Sequence, residues 1–324
     1  MIVTPLDGFK LRAVQDRTEL QYASKYDEKT IQTIAPTSDA TIVFVDNFST
    51  EEKDRHTIDL EDEQYALIRS AVNSSSNVIL VMHTPGVINI EEFVDNENVT
   101  AIVNAYYPGQ ESGSSIVPVL FGDVNPSGKL PYTWGKSISD WPNTIVTDAV
   151  QAPQSDFTEG LFIDYRWFDK NNIEPRYEFG FGLSYTQFGY SDITVEDNSK
   201  DDDSAIQDTN EAFETSNGSN SLYDNKLTVK AQVQNNGDVK GSEIAQLYIS
   251  TPVEDRPIRQ LRGFEKVKDL EPGQSQTVEF DLRLKDLSSW SVEKQLWYLP
   301  KGEFTFYVGT SSRNLPLSTT WNSN

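Results

Sequence analysis

GLFIDYRWFDKNNIEPRYEFGFGLSYTQF, residues Gly160–Phe188, decides how the rest of the chain divides. Aromatic side chains recur through it from Phe162 to Phe188, charges stand between them, and glycines occupy 180 and 182. Aromatics bury a large area per residue, so a segment this rich in them is pinned against a folded surface rather than solvated as a linker. Upstream of it strand and helix patterns alternate, and downstream only strand patterns follow. The stretch is therefore expected to be a strap that joins two different domains and packs on both. A strand pair at the edge of one domain is the plainer reading.

Working upstream, Asp39–Asp46 (DATIVFVD) and Asn77–Met82 (NVILVM) are nearly continuous apolar runs of strand length, the pattern of strands buried on both faces. Between them, Leu60, Leu67, Ile68, Ala71 and Val72 form one stripe of an amphipathic helix over Leu60–Val72. Gly86–Val94 reads as a second helix, Val99–Ala105 as a third strand, and Glu111–Phe121 as a third helix after the Pro108-Gly109 turn. This alternation predicts an open, mostly parallel sheet covered by helices, with functional residues in the loops leaving the carboxyl ends of its strands. Residues 1–38 read as an extended, turn-rich entry, with a strand around Leu20–Ala23 and a short helix near Glu28–Ile34.

Downstream, an acidic, Ser/Asn-rich stretch within Asp192–Leu222 is too poor in apolar residues to order itself and reads as a disordered insertion. From Asn225 onward the apolar period is two, and Asn236-Gly237 and Pro272-Gly273 punctuate the strands as turns. Short strands at this spacing describe a β-sandwich. Trp290 and Trp297 have the chemistry of sugar platforms, but packing is the expected role.

At 324 residues the chain has room for two domains, each with its own core. A net charge of −23 and a pI near 4.4 repel nucleic acid and anionic membrane, and suit neutral ligands. No stretch approaches the roughly 20 apolar residues that a membrane span needs. With no cysteine, disulfides and thiolate metal sites are excluded, and two histidines, His56 and His83, argue against a multi-histidine metal centre. Sequons stand at Asn47, Asn73, Asn98 and Asn217, whereas the opening MIVTPLDGFKLRA has no apolar core of signal-peptide length.

The strap, with Glu159 before it, resembles the segment that follows the second domain of fungal and yeast family 3 glycoside hydrolases, the β-glucosidases. The resemblance extends upstream through AYYPGQESG (105–113) and FGDVNPSGKLPYTWGK (121–136). It resumes downstream at IAQLYIS (244–250), RQLRGFEKV (259–267) and GEFTFYVGTSSR (302–313). It implies α/β plus all-β architecture. An α/β sandwich domain would fill residues 1–148 and the strap residues 149–190. A fibronectin type III-like β-sandwich would fill residues 191–324, with the acidic insertion at about 196–222. It also implies the C-terminal part of an enzyme that hydrolyses terminal non-reducing β-D-glucosyl residues with retention and needs no cofactor or metal. The family's location would be secreted, periplasmic or at the cell wall; the opening sequence, which reads as having no signal peptide, leaves a cytoplasmic one open.

Retaining glycosidases use two carboxyl groups, a nucleophile and an acid/base. In the family the nucleophile is an Asp on an N-terminal barrel, and the acid/base is a Glu in a loop of the following α/β domain. The corresponding loop here is Asn47–Arg55, and counting forward from VFV or back from Asp54-Arg55 lands on Glu51 both times. Thr50 and Glu52 replace the flanking glycines, and the loop is shorter than in the family's fungal members. Ser139-Asp140-Trp141 imitates the nucleophile's triplet but stands where the family has a surface loop. Three further motifs fail on spacing or context: Gly122–Lys129 as a P-loop, Gly180–Gly182 as a dinucleotide fingerprint, and Gly109–Gly113 as a nucleophile elbow. The chain is thus expected to supply the acid/base and to meet its β-glucoside substrate through a barrel that these residues do not contain. It would be inactive alone. The alternatives are a non-catalytic remnant that binds a sugar or a partner chain, and a truncated product without a role. Limited proteolysis should cut first within 192–222; first cuts within Gly160–Phe188 would refute the strap.

Overall fold

The computed structural model describes residues 2–24, 26–52, 55–142, 154, 156–198 and 221–323. Two compact units result: Met1–Val124 with Gly135–Asp156, and Asn125–Trp134 with Phe157–Asn324.

The first unit is built on three parallel strands in the order β1 (Thr41–Asp46), β2 (Val78–His83), β3 (Val99–Asn104). A buried parallel sheet needs both faces covered. Helix α3 (Asp62–Ser74) crosses over between β1 and β2 and buries Ile68, Ala71 and Val72. On the Ile42–Phe44 side, Phe9 of α1 (Pro5–Asp16) and Ile116 and Val117 of α4 (Ser112–Leu120) form a cluster with Val81. Between α1 and α3 lies the short helix α2 (Glu28–Ile34).

Three expectations for this unit need correction. The entry is not extended: Thr4 caps α1 reciprocally with Asp7, and Pro5 takes the first turn, where its missing N–H costs nothing. Leu20–Ala23 is extended but belongs to no strand. Gly86–Val94 is not a helix, because the Asn89 N–H is given to the Ile58 carbonyl while Ile88 and Ile90 are both buried. Only a turn at Ile90–Val94 follows.

In the second unit, a three-stranded sheet is ordered β4 (Phe188–Asp197), β5 (Asn225–Asn235), β8 (Ser275–Arg283). A four-stranded sheet is ordered β12 (Leu317–Ser323), β11 (Gly302–Gly309), β6 (Gly241–Ser250), β7 (Gln260–Leu270). All pairings are antiparallel. The period-two residues meet in one core, with Val229 and Val233 of β5 and Phe280 of β8 packed with Leu247 of β6 and Phe304 and Phe306 of β11. This is a fibronectin type III-like sandwich, as expected. A short ribbon, β9 (Ser289–Ser291) with β10 (Leu296–Tyr298), sets Trp290 opposite Trp297, and their rings meet edge to face at 5.6 Å. The acidic insertion lies outside the described residues over 199–220, and its expected first residues, through Asp197, belong to β4.

From Phe157 onward the strap belongs to this second unit. Trp134 bridges Tyr177 by backbone hydrogen bonds, and Leu130 does the same with Gly180 and Phe181. Helix α5 (Tyr165–Lys170) turns Tyr165 against Phe179 and Tyr248, with centroids 4.9 and 5.9 Å away, and the Tyr165 hydroxyl accepts the Leu261 N–H. Lys129 meets Glu243 at 2.9 Å with both side chains nearly buried, and the Tyr190 hydroxyl donates to the same carboxylate. Burial, then the Glu243 charge, drives the Tyr190 pKa far upward, so it remains a donor. Lys129→Met would strand Glu243 without its cation. Urea unfolding should show a loss of about 3–5 kcal/mol, largely restored by adding Glu243→Gln.

Candidate functional site

The loops that leave the carboxyl ends of β1, β2 and β3 form the candidate site. In a parallel ladder successive residues point their backbone groups to opposite sides. Thr41 and Asn47 donate to β2, so Ile42, Phe44 and Asp46 face away from it. At Asp46 the exposed pair is taken by one side chain. Gln64 of α3, itself buried, accepts the Asp46 N–H at 3.0 Å and donates to its carbonyl at 2.8 Å. The strand stops there, and Asn47 begins the loop.

Both bases of the loop are fastened. The Tyr107 hydroxyl donates to the Asn47 carbonyl at 2.7 Å, and Arg55 donates to the Val87 carbonyl at 3.2 Å. Beyond Arg55, Asp59 accepts from Thr57 at 2.5 Å and from Asn89 at 2.9 Å. Glu51 stands exposed between these anchors, and among the described residues its carboxylate has no hydrogen-bond or ion-pair partner. Glu52 is likewise exposed; Lys53 and Asp54 lie outside the described residues. Such a carboxylate can exchange a proton with whatever is brought against it.

His83, counted in the sequence only against metal binding, lies directly across the ladder from Asp46 at the end of β2. Its Nε2 is buried without a hydrogen-bond partner. Burial lowers its pKa against the opposing pull of Asp46, which keeps the ring neutral at neutral pH. The signal available in the sequence was position alone, the last residue of an apolar strand. Among the described residues no three His, Cys, Asp or Glu side chains converge as a metal site, and no helix is long and apolar enough to cross a membrane.

The discarded motifs have packing roles. Asp140 accepts the Lys136 and Ser137 amides at 2.7 and 3.0 Å and closes its own turn. Gly113 lets α1 approach α4, since a Cβ there would lie 2.1 Å from the Thr4 carbonyl oxygen. Gly180, at φ +81°, would drive a Cβ into the Gln246 amide at 2.2 Å.

The description "Glycosyl hydrolase family 3 C-terminal domain" matches residues 1–185, and "Fibronectin type III-like domain" matches residues 243–312. The chain belongs to glycosyl hydrolase family 3. It is 42% identical over 322 residues to the probable beta-glucosidase M of Aspergillus niger, covering 98% of this chain and 41% of that protein. It is 44% identical over 332 residues to the probable beta-glucosidase G of Aspergillus flavus, covering 98% and 40%. The crystal structure of beta-D-glucoside glucohydrolase from Trichoderma reesei superposes with a TM-score of 0.89 at 39% identity, over 99% of this chain and 45% of that one. The chain thus spans about two fifths of the length of the curated relatives it matches.

Asp59 supplies a test of the loop's anchorage. Its pKa is lowered below the ordinary 3.8, first by the Thr57 hydroxyl, with Asn89 and Tyr65 adding to it against burial. A depressed carboxyl stabilises the fold above its unfolded value and loses that contribution as pH falls through the folded one. The destabilisation by Asp59→Asn should therefore be full at neutral pH and fade below about pH 3.8 in pH-dependent unfolding.

Proposed function

We propose that the chain is the C-terminal portion of a β-glucosidase that removes terminal non-reducing β-D-glucosyl residues with retention, and that Glu51 is its acid/base. The observation that supports this most is Glu51 itself, an exposed carboxylate without a described partner, on a loop fastened at both bases, at the carboxyl edge of a parallel sheet in a family 3 chain. In the first step a nucleophilic carboxylate attacks the anomeric carbon while the Glu51 carboxyl gives its proton to the departing glycosidic oxygen. In the second, the Glu51 carboxylate takes a proton from water, which attacks the glycosyl-enzyme from the face the leaving group vacated. Two inversions give net retention.

The nucleophile would come from a barrel such as the family resemblance implies, outside these residues. One carboxylate cannot carry out a double displacement, so the chain alone should not measurably hydrolyse aryl β-glucosides. A second reading, a non-catalytic module that binds a sugar or partner, rests on Thr50 and Glu52, which stand where the resemblance calls for glycine and its backbone freedom.

The test supplies a matching barrel in cis or in trans. Glu51→Ala should slow glycosides with poor leaving groups by roughly 10²–10⁴-fold and spare the first step of activated ones. Azide should restore turnover of the activated substrates by attacking the glycosyl-enzyme, giving a β-glucosyl azide. Glu52→Ala should show neither effect. Both effects at Glu52 instead would shift the assignment by one residue, and neither effect at either position would end it.

A further inference from the structure

Trp290 and Trp297 take no part in the proposed reaction, and beside them the β-sandwich gathers several of its cations. Arg262 and Phe264 of β7, Arg283 at the end of β8, Lys285 and Asp286 of the short helix α6 (Leu284–Leu287), and Trp297 of β10 border an open cleft of about 650 Å³. A cleft of that volume is large enough for a small ligand. Three cations and one carboxylate line it, in a chain of net charge −23.

The carboxylate is already committed. One oxygen of Asp286 accepts the Arg283 backbone N–H and its Nε–H at 2.9 Å each, and the other accepts from Nη2 at 2.9 Å. Arg283 is therefore neutralised, but Arg262 is not. It donates to the carbonyls of Asp286 and Leu261 and to the Gln260 amide oxygen, at 3.0, 3.1 and 2.9 Å, all of them uncharged acceptors. A guanidinium has five N–H groups, so two of those on Arg262 have no partner among the described residues. Burial pulls its pKa below the ordinary value, as it does for a cation left uncompensated. Lys285 likewise pairs with no carboxylate among the described residues. Two rings hold its ammonium, with centroids 5.1 Å away at Tyr223 and 5.3 Å away at Trp297, and it donates to the Tyr223 hydroxyl at 3.3 Å.

The lining selects the ligand. Two uncompensated cations call for an anion, and a carboxylate is a charge that a guanidinium fork and an ammonium both take. The exposed ring of Phe264 and the ring of Trp297 call for apolar surface as well, which an inorganic anion lacks. A nucleic acid is repelled by the acidic remainder of the chain. A pyranose that bears a carboxylate meets both demands, since its C–H face stacks on an aromatic ring while its charge reaches the cations. An acidic peptide carries the charge on a flexible stem, with no flat face to stack.

We propose that this cleft of the β-sandwich binds a uronic-acid-bearing carbohydrate, with the carboxylate on Arg262 and Lys285 and the sugar ring on Trp297 and Phe264. The assignment rests on residues of the sandwich alone and is independent of Glu51 and of any barrel.

Isothermal titration calorimetry of the purified chain with trigalacturonate tests it, beside cellotriose as the neutral sugar, triglutamate as the acidic peptide and sulfate as the bare anion. Trigalacturonate should bind saturably and about tenfold or more tightly than each of the other three. Its affinity should fall about tenfold between roughly 20 and 200 mM NaCl, because exposed charges are screened over that range. Lys285→Met keeps the apolar stem, removes the charge and should weaken binding about tenfold. Lys285→Glu should abolish it while thermal unfolding stays that of the native chain. Arg262 also ties β7 to α6 through the Asp286 carbonyl, so the decision is placed on the Lys285 variants, which leave that bond intact. Three results would overturn the proposal: no binding of trigalacturonate, equal binding of cellotriose, triglutamate or sulfate, or unchanged affinity in both Lys285 variants. Binding is read without turnover, so an inactive Glu51 leaves the outcome unaffected.

Discussion

One side-chain amide determines where the first strand of the α/β unit ends. The Asp46 N–H and C=O face away from β2 and would otherwise require another strand. Gln64 satisfies both, and because it sits on α3 its position is set by the packing of Ile68 and Val72 against the sheet. A buried polar side chain of this kind is tolerated because its hydrogen bonds are made. Its consequence is that the chain leaves the sheet at Asn47 rather than one turn earlier or later. The Tyr107 and Arg55 bonds then hold the bases of a loop whose starting point is already fixed.

The same bond also separates the two ends of β1. At Asp46 the free edge is closed and the Asn47–Arg55 loop begins; at Ile42 and Phe44 it is open. An edge strand exposed in this way is a liability unless something covers it. The alternation of backbone directions along β1 thus underlies both the end of the strand at Asp46 and its unpaired edge at Ile42 and Phe44.

Much of this was legible in the sequence because its patterns carry direct physical meaning. DATIVFVD and NVILVM are apolar at nearly every position, and both became parallel strands, β2 buried along most of its length and β1 fully buried only at Val43 and Val45. The period of two after Asn225 became a sandwich whose core takes alternate residues. Other features were hidden by competing interactions. The capping signal at Thr4–Asp7 was present, but Gly8 weakens the local helical pattern, and its purpose, close approach to Gly113, is visible only in three dimensions. Gly86–Val94 reads locally as a helix, yet Asn89 is captured by a backbone partner about thirty residues upstream. The choice of Glu51 rests on counting from the flanking residues, whereas the unpartnered nitrogen and lowered pKa of His83 depend on burial that no local pattern reveals.

In the proposed reaction the carboxyl group that moves protons is Glu51. An acid/base that must be protonated for the first step imposes a fall in kcat/KM as pH rises. With a matching barrel supplied and a substrate with a poor leaving group, the most direct measurement is the pH profile of kcat/KM for the native chain, Glu51→Gln and Glu52→Gln. The basic limb should persist in the Glu52 variant and disappear, with the residual rate much reduced, in the Glu51 variant. A basic limb unchanged in Glu51→Gln would contradict the assignment.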